Sequence, residues 1–151
     1  MRILFLHGLE SQAGGAKPEH LKAAGYDVVE PSLAGTSFEE SKIIAQAYVD
    51  KYRPEVIVGS SRGGALAMSV DPAGARLVLV APAWNIYGSP TGIRADSTII
   101  HSESDRIIPF EESMQLSEMT GAELITAGND HRMNDSNALS AILSAVERQT
   151  H

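Results

Sequence analysis

The chain has 151 residues, a formal net charge of -7 and no cysteine. That length suits one domain over residues 1–151, able to bury roughly 70% of its unfolded surface without covalent staples. The missing cysteines exclude disulfides, thiolate metal sites and a cysteine nucleophile, and the negative charge with no basic run argues against nucleic acid or an anionic membrane as partner.

Arg2 to Leu6 is a short apolar run ended by His7-Gly8, which predicts a buried strand. It is too short for the apolar region of a signal peptide, and no stretch approaches the roughly 20 apolar residues of a membrane span. A cytoplasmic protein is therefore expected. Residues 9–17 are polar and contain glycine, as a loop does. Pro18 to Ala24 predicts a helix with proline in its first turn and Gly25 as its stop. Asp27 to Glu30 predicts a second strand, closed by Pro31. Ser37 to Tyr52 predicts the longest helix, with Ser37 and Glu40 forming a capping box and Ile43, Ile44, Ala47 and Tyr48 recurring at helical spacing. Glu55 to Val58 is the third expected strand, and Arg62 to Val70 the helix after it. A fourth strand is expected over Arg76 to Ala81. Pro82 to Ala95 carries two prolines and two glycines and predicts a loop. Further strands are expected at Ser97–His101 and Ala122–Thr126, with a helix from Pro109 to Met119 between them. The last helix runs from about Asn134 to Arg148, with Leu139, Ile142, Leu143 and Val146 on one face. Apolar strands alternating with helices imply a parallel sheet covered on both faces.

Between the third strand and its helix stands Gly59-Ser60-Ser61-Arg62-Gly63-Gly64. Glycines two positions either side of Ser61 fit a turn so tight that strand and helix backbones pass without room for a Cβ. Such a serine projects above the carboxyl edge of the sheet, where ligands bind in open α/β folds. The N–H of Arg62, opening the helix, points where a negative oxygen could form. His131, after the last strand, can act as base and acid, because histidine exchanges its proton near neutral pH. His7 and His101 end strands and read as hydrogen-bonded structural groups near the site, while His20 and His151 read as exposed. Asp105, after the fifth strand, is placed to orient His131, with a helix N-terminal carboxylate as the alternative. Its rivals are Glu103 and Asp130. Asp130 is a poor partner because side chains of adjacent residues in extended backbone point apart.

The order Ser61, Asp105, His131 on alternating strands and helices resembles the α/β-hydrolase family, chiefly its short, uncapped bacterial members. Gly59 to Gly63 is similar to that family's nucleophile elbow, His7-Gly8-Leu9 to its first oxyanion loop, and Asp105-Arg106-Ile107-Ile108-Pro109 to its acid loop. Two features depart from the pattern. The acid loop often begins His-Gly, where this chain has His101-Ser102, and the family's first two strands have no counterpart. The resemblance implies a three-layer α/β/α fold with a six-stranded, mostly parallel sheet in the order 2-1-3-4-5-6. It further implies a serine hydrolase of small carboxylic esters, working through Ser61, His131 and Asp105 and an acyl-enzyme. Oxyanion donors would be the N–H groups of Leu9 and Arg62, and no metal or cofactor is called for. Trp84, Ile86 and Tyr87 from the 82–95 segment, with Met133, are candidate pocket walls; packing in the core is their alternative. The Arg62 side chain would meet an anionic substrate or form a surface ion pair. Thioesters and lactones use the same residues. A nucleotide-binding protein is disfavoured because the glycine spacing after the first strand fails G-x-G-x-x-G. A catalytically silent interaction protein on the same fold is the remaining class.

Overall fold

A computed structural model describes residues 1–9, 14–88 and 93–148. The elements in chain order are β1 (Arg2–Leu6), α1 (Ala16–Ala23), β2 (Asp27–Val29), α2 (Phe38–Tyr52), β3 (Val56–Ser60), α3 (Arg62–Ser69), β4 (Arg76–Val80), α4 (Trp84–Tyr87), β5 (Thr98–His101), α5 (Phe110–Thr120), β6 (Glu123–Thr126) and α6 (Ser136–Arg148). The strands form one sheet in the order β2-β1-β3-β4-β5-β6, and every pairing is parallel. Among the described residues no helix is long and apolar enough to cross a membrane.

Side-chain alternation sorts each strand onto two faces. Leu4, Leu6, Ile57, Leu77, Leu79 and Ile99 pack with Ala45 and Val49 of α2, Leu66 of α3 and Leu116 of α5. Ile3, Phe5, Val56, Val58, Val78, Val80 and Ile100 pack on the other face with Leu21 of α1 and Ala138, Ile142, Ala145 and Val146 of α6. Both faces of the central strands are dry, which is why their sequences read as unbroken apolar runs.

Three local expectations need correction. The α2 face is turned relative to the sequence pattern: Ser41, Ala45 and Val49 are buried, while Ile43 is 72% exposed and Ala47 is exposed. Ser37 does form the expected capping box, accepting from the Glu40 N–H as the Glu40 carboxylate accepts from the Ser37 N–H. Part of the segment expected to be a loop over 82–95 is helical, because Tyr87 and Gly88 N–H groups donate to the Ala83 and Trp84 carbonyls. A single turn is shorter than any periodic pattern can reveal. On α6 the most buried residues include Ala138 and Ala145, with Leu139 and Leu143 only partly covered. Residues 10–13 of the expected 9–17 loop, 89–92 of the expected 82–95 loop, and 149–151 with His151 lie outside the described residues.

The order in which strands are added across the sheet reverses between β1 and β3, since the chain steps outward from β1 to β2 and returns to β3 on the opposite side of β1. The loops that follow β1 and β3 therefore open beside each other at the carboxyl edge, the position where open α/β sheets leave a crevice.

Candidate active site

One residue, Ser61, joins β3 to α3. Reversing the chain in so little length forces Ser61 to φ 57° and ψ -114°, a left-handed φ combined with a ψ outside the left-handed helical well. Two close approaches hold it there. A Cβ on Gly59 would run into the Gly63 carbonyl, and one on Gly63 into the Leu6 carbonyl. The Ser61 N–H donates to the Val80 carbonyl at 2.9 Å, and the Ser61 carbonyl accepts from the Ala83 N–H at 3.0 Å. The elbow is thus tied to the end of β4 as well as to β1.

From Ser61 a continuous row of hydrogen bonds crosses the sheet edge. The Ser61 Oγ lies 2.9 Å from His131 Nε2, and His131 Nδ1 lies 2.7 Å from Asp105 Oδ2. With a carboxylate on its far side, Nδ1 carries the proton and Nε2 is left to accept from the serine hydroxyl. The Asp105 side chain is fully buried and the His131 side chain is 21% exposed. Asp105 is held by four donors. Its Oδ1 accepts from the Ile107 and Ile108 N–H groups at 2.7 and 2.8 Å, and Oδ2 also faces His101 Nε2 at 2.9 Å. Burial pushes the Asp105 pKa up, but the bonds from His131, Ile108 and Ile107 outweigh it and hold the carboxyl below its ordinary value.

His101 is completely buried. Its Nε2 faces two acceptors, Asp105 Oδ2 and the Ile108 carbonyl at 3.1 Å, so that nitrogen bears the proton. Nδ1 accepts from the Ser113 hydroxyl at 2.6 Å. Burial lowers the His101 pKa, against a smaller opposing pull from Asp105, in keeping with a neutral ring. The sequence shows His101 and Asp105 four residues apart but gives no sign that they share a bond.

The oxyanion candidates lie on either side of Ser61. Among the described residues neither the Leu9 nor the Arg62 N–H donates to an acceptor, and both residues line the same cavity as Ser61 and His131. His7 fixes the first of these loops. Its Nδ1–H donates to the Gly8 carbonyl at 2.8 Å while Nε2 accepts from the Leu33 N–H at 2.9 Å.

That cavity holds about 430 Å³. Tyr87 and Ile86 form one wall, Ile107 and Ile108 another. Trp84 and Met133 do not line it. Trp84 packs against the core with its indole N–H on the Glu112 carbonyl at 3.1 Å, and Met133 is fully buried with its sulfur against Gly128. These contacts match core packing, the alternative reading of both residues. Asp130 accepts from the Met133 N–H at 3.2 Å and so shapes its own loop, while Glu103 is exposed.

Two cationic side chains, Arg62 and Lys17, belong to residues that line the cavity. Arg62 is 4% exposed, and among the described residues it makes no ion pair. Its Nη2 donates to the Thr36 carbonyl at 3.0 Å, and its guanidinium sits 5.6 Å and 5.7 Å from the ring centres of Phe38 and Tyr87, which stack on each other. Lys17 reaches the cavity from α1 and donates to Asn134 Oδ1 at 2.9 Å. Burial, aided by nearby Arg132 and opposed by Asp130, brings its pKa down to about 8. Its place after β1 was the only available signal, and it identifies a region rather than a residue.

No protein-family model matches the chain, and no curated protein does. Solved structures do. Est1E from Butyrivibrio proteoclasticus is 17% identical with a TM-score of 0.78, over 99% of this chain and 88% of that one. The ydeN gene product from B. subtilis is 13% identical with a TM-score of 0.77, over 99% and 98%. Alpha/beta hydrolase domain-containing protein 10 from mouse is 15% identical with a TM-score of 0.73, over 99% and 89%. At these identities the likeness speaks for architecture, and the chain has the α/β-hydrolase fold.

Proposed function

We propose that this chain is a serine hydrolase that cleaves small carboxylic esters. The observation that carries the reading is the unbroken row Ser61 Oγ, His131 Nε2, His131 Nδ1, Asp105 Oδ2, at 2.9 and 2.7 Å, opening on a cavity of about 430 Å³. Proteins of this fold that carry a hydrolase or esterase name support it, among them alpha/beta hydrolase domain-containing protein 10 from mouse and an esterase domain from a Rhodothermus marinus protein.

In the proposed reaction the Ser61 oxygen attacks the ester carbonyl as His131 Nε2 takes its proton. The carbonyl oxygen becomes an anion between the Leu9 and Arg62 N–H groups, each worth about 10²–10³ in rate if typical of such donors. Collapse expels the alcohol, which receives the proton from His131, and leaves Ser61 acylated. Water then attacks the acyl carbon, its proton passing to His131, and the acid departs as the proton returns to Ser61. Asp105 keeps the imidazole in the required tautomer and stabilises it while charged. Thioesters and lactones follow the same steps, and a panel of matched substrates separates them.

Labelling with a fluorophosphonate tests the reading without knowledge of the substrate. The wild-type chain is expected to label, Ser61→Ala and His131→Ala to remain unlabelled, and Asp105→Asn to react more slowly by about 10⁴, as expected when the tautomer is wrong. A folded wild-type chain that does not label overturns it, and a catalytically silent binding protein then becomes the better reading.

A further inference from the structure

We propose that the ester processed at Ser61 carries a second, non-scissile anion, a carboxylate or phosphate, received by Arg62 and Lys17. This deepens the hydrolase reading and rests on it for the reaction, though not for the binding.

The first observation is Arg62. A guanidinium offers five N–H donors in a planar fork. Here the group is almost fully buried, its one hydrogen-bond acceptor among the described residues is the Thr36 carbonyl, and no described carboxylate lies within ion-pair distance. The stacked rings of Phe38 and Tyr87 hold the cation in place through their faces but supply no anion. A buried charge without a counter-ion is costly, and chains rarely keep one unless something is gained. Arg62 and Tyr87 both line the cavity, and the guanidinium lies against the Tyr87 ring.

Lys17 is an independent observation. It comes from a different element, α1, and its ammonium is bonded to a neutral amide, Asn134. Burial brings its pKa down to about 8 despite the pull of nearby Asp130, so the ammonium is only partly compensated. An anion arriving in the cavity would pair with this cation and raise its pKa again.

The balance of charge along the wall agrees. Among the described residues, Lys17, Arg62 and Arg132 line the cavity together with no Asp or Glu, in a chain that has 19 acidic and 12 basic residues. A random sample of this surface would be net negative, so the local reversal is a feature of the site. A concave wall of one sign concentrates ligands of the other. Arginine in particular matches the paired oxygens of a carboxylate or phosphate.

The test uses the Ser61→Ala protein, so that ligands are bound and not turned over, and isothermal titration with three methyl esters of similar length. Monomethyl glutarate carries a carboxylate, methyl 4-phosphonobutyrate a phosphonate, and methyl valerate no charge. One anionic ester is expected to bind at least about tenfold tighter than methyl valerate, the scale of one charge-assisted hydrogen bond. Whichever is tighter names the group. Adding Lys17→Met or Arg62→Met is expected to cut that ratio by about tenfold. Arg62→Lys, which keeps the charge and loses the fork, should fall between. Because Arg62→Met removes a buried side chain, Lys17→Met decides the matter if the arginine variant does not fold. Equal affinity for charged and neutral esters, no binding of any of the three, or a ratio indifferent to both substitutions overturns the proposal. Fluorophosphonate labelling of the wild-type chain is run beside it. Labelling without anion preference rejects this proposal alone, whereas anion preference without labelling rejects the hydrolase reading alone.

Discussion

At the scale of single residues, the backbone of Ser61 is the unusual feature. A non-glycine residue at φ 57° and ψ -114° stores roughly 1–3 kcal/mol of strain, which the bonds to Val80 and Ala83 and the close passage of Gly59 and Gly63 maintain. Removing the side chain as alanine leaves the strain, since it resides in the Cβ and backbone. Removing the Cβ relieves it. Ser61→Gly is therefore expected to be more stable than Ser61→Ala by about 1 kcal/mol in urea denaturation, with neither variant labelled by a fluorophosphonate. Equal stability would mean that the turn is relaxed. The positions of Ser61, Asp105 and His131 were legible because each follows an apolar strand run, and strand ends gather at one sheet edge. Trp84 and Met133 were not. Their side-chain directions depend on a one-turn helix and on a left-handed φ of 56° at Met133, neither of which a local pattern specifies.

At the scale of elements, the contact between α3 and the β1–β3 pair decides whether the elbow can form. At Gly63 any side chain meets the Leu6 carbonyl, a backbone atom that cannot move without parting β1 from β3. Gly63→Ala is expected to cost more than about 3 kcal/mol, or to prevent folding outright. Gly74 provides the contrast. It sits at φ 89° with open space where a Cβ would be, so Gly74→Ala should cost only about 1 kcal/mol from backbone strain. Comparing the two by urea denaturation separates steric exclusion from conformational preference, and similar losses would refute the close-packing account. The same scale explains the α2 discrepancy. Its sequence offers two apolar stripes about one residue apart, and small buried Ser41 and Ala45 win because they let the helix lie close to the sheet, leaving Ile43 outside.

For the whole molecule, burial of His101 links stability to pH. The folded chain binds a proton at His101 less readily than the unfolded chain does. Below the ordinary histidine value of about 6.5 the unfolded state gains a proton that the folded state refuses, so stability falls with decreasing pH by up to about 1.4 kcal/mol per unit. Asp105, held below its ordinary value, adds a loss of the same sign only below about pH 3.9. Urea denaturation between pH 7 and 5 should therefore show a slope that His101→Asn reduces, and an unchanged slope would place the proton uptake elsewhere.

The sheet order carries a consequence for synthesis. Strand β1 lies between β2 and β3, and its partner Val56 stands 53 positions after Ile3. While the ribosome works through that interval, roughly 3–10 s at common elongation rates, the backbone N–H and C=O groups on that edge of β1 have no strand partner. The nascent chain is then open to wrong pairing on that edge, and the exposure ends only when β3, which leads directly into the elbow, is free to pair with β1.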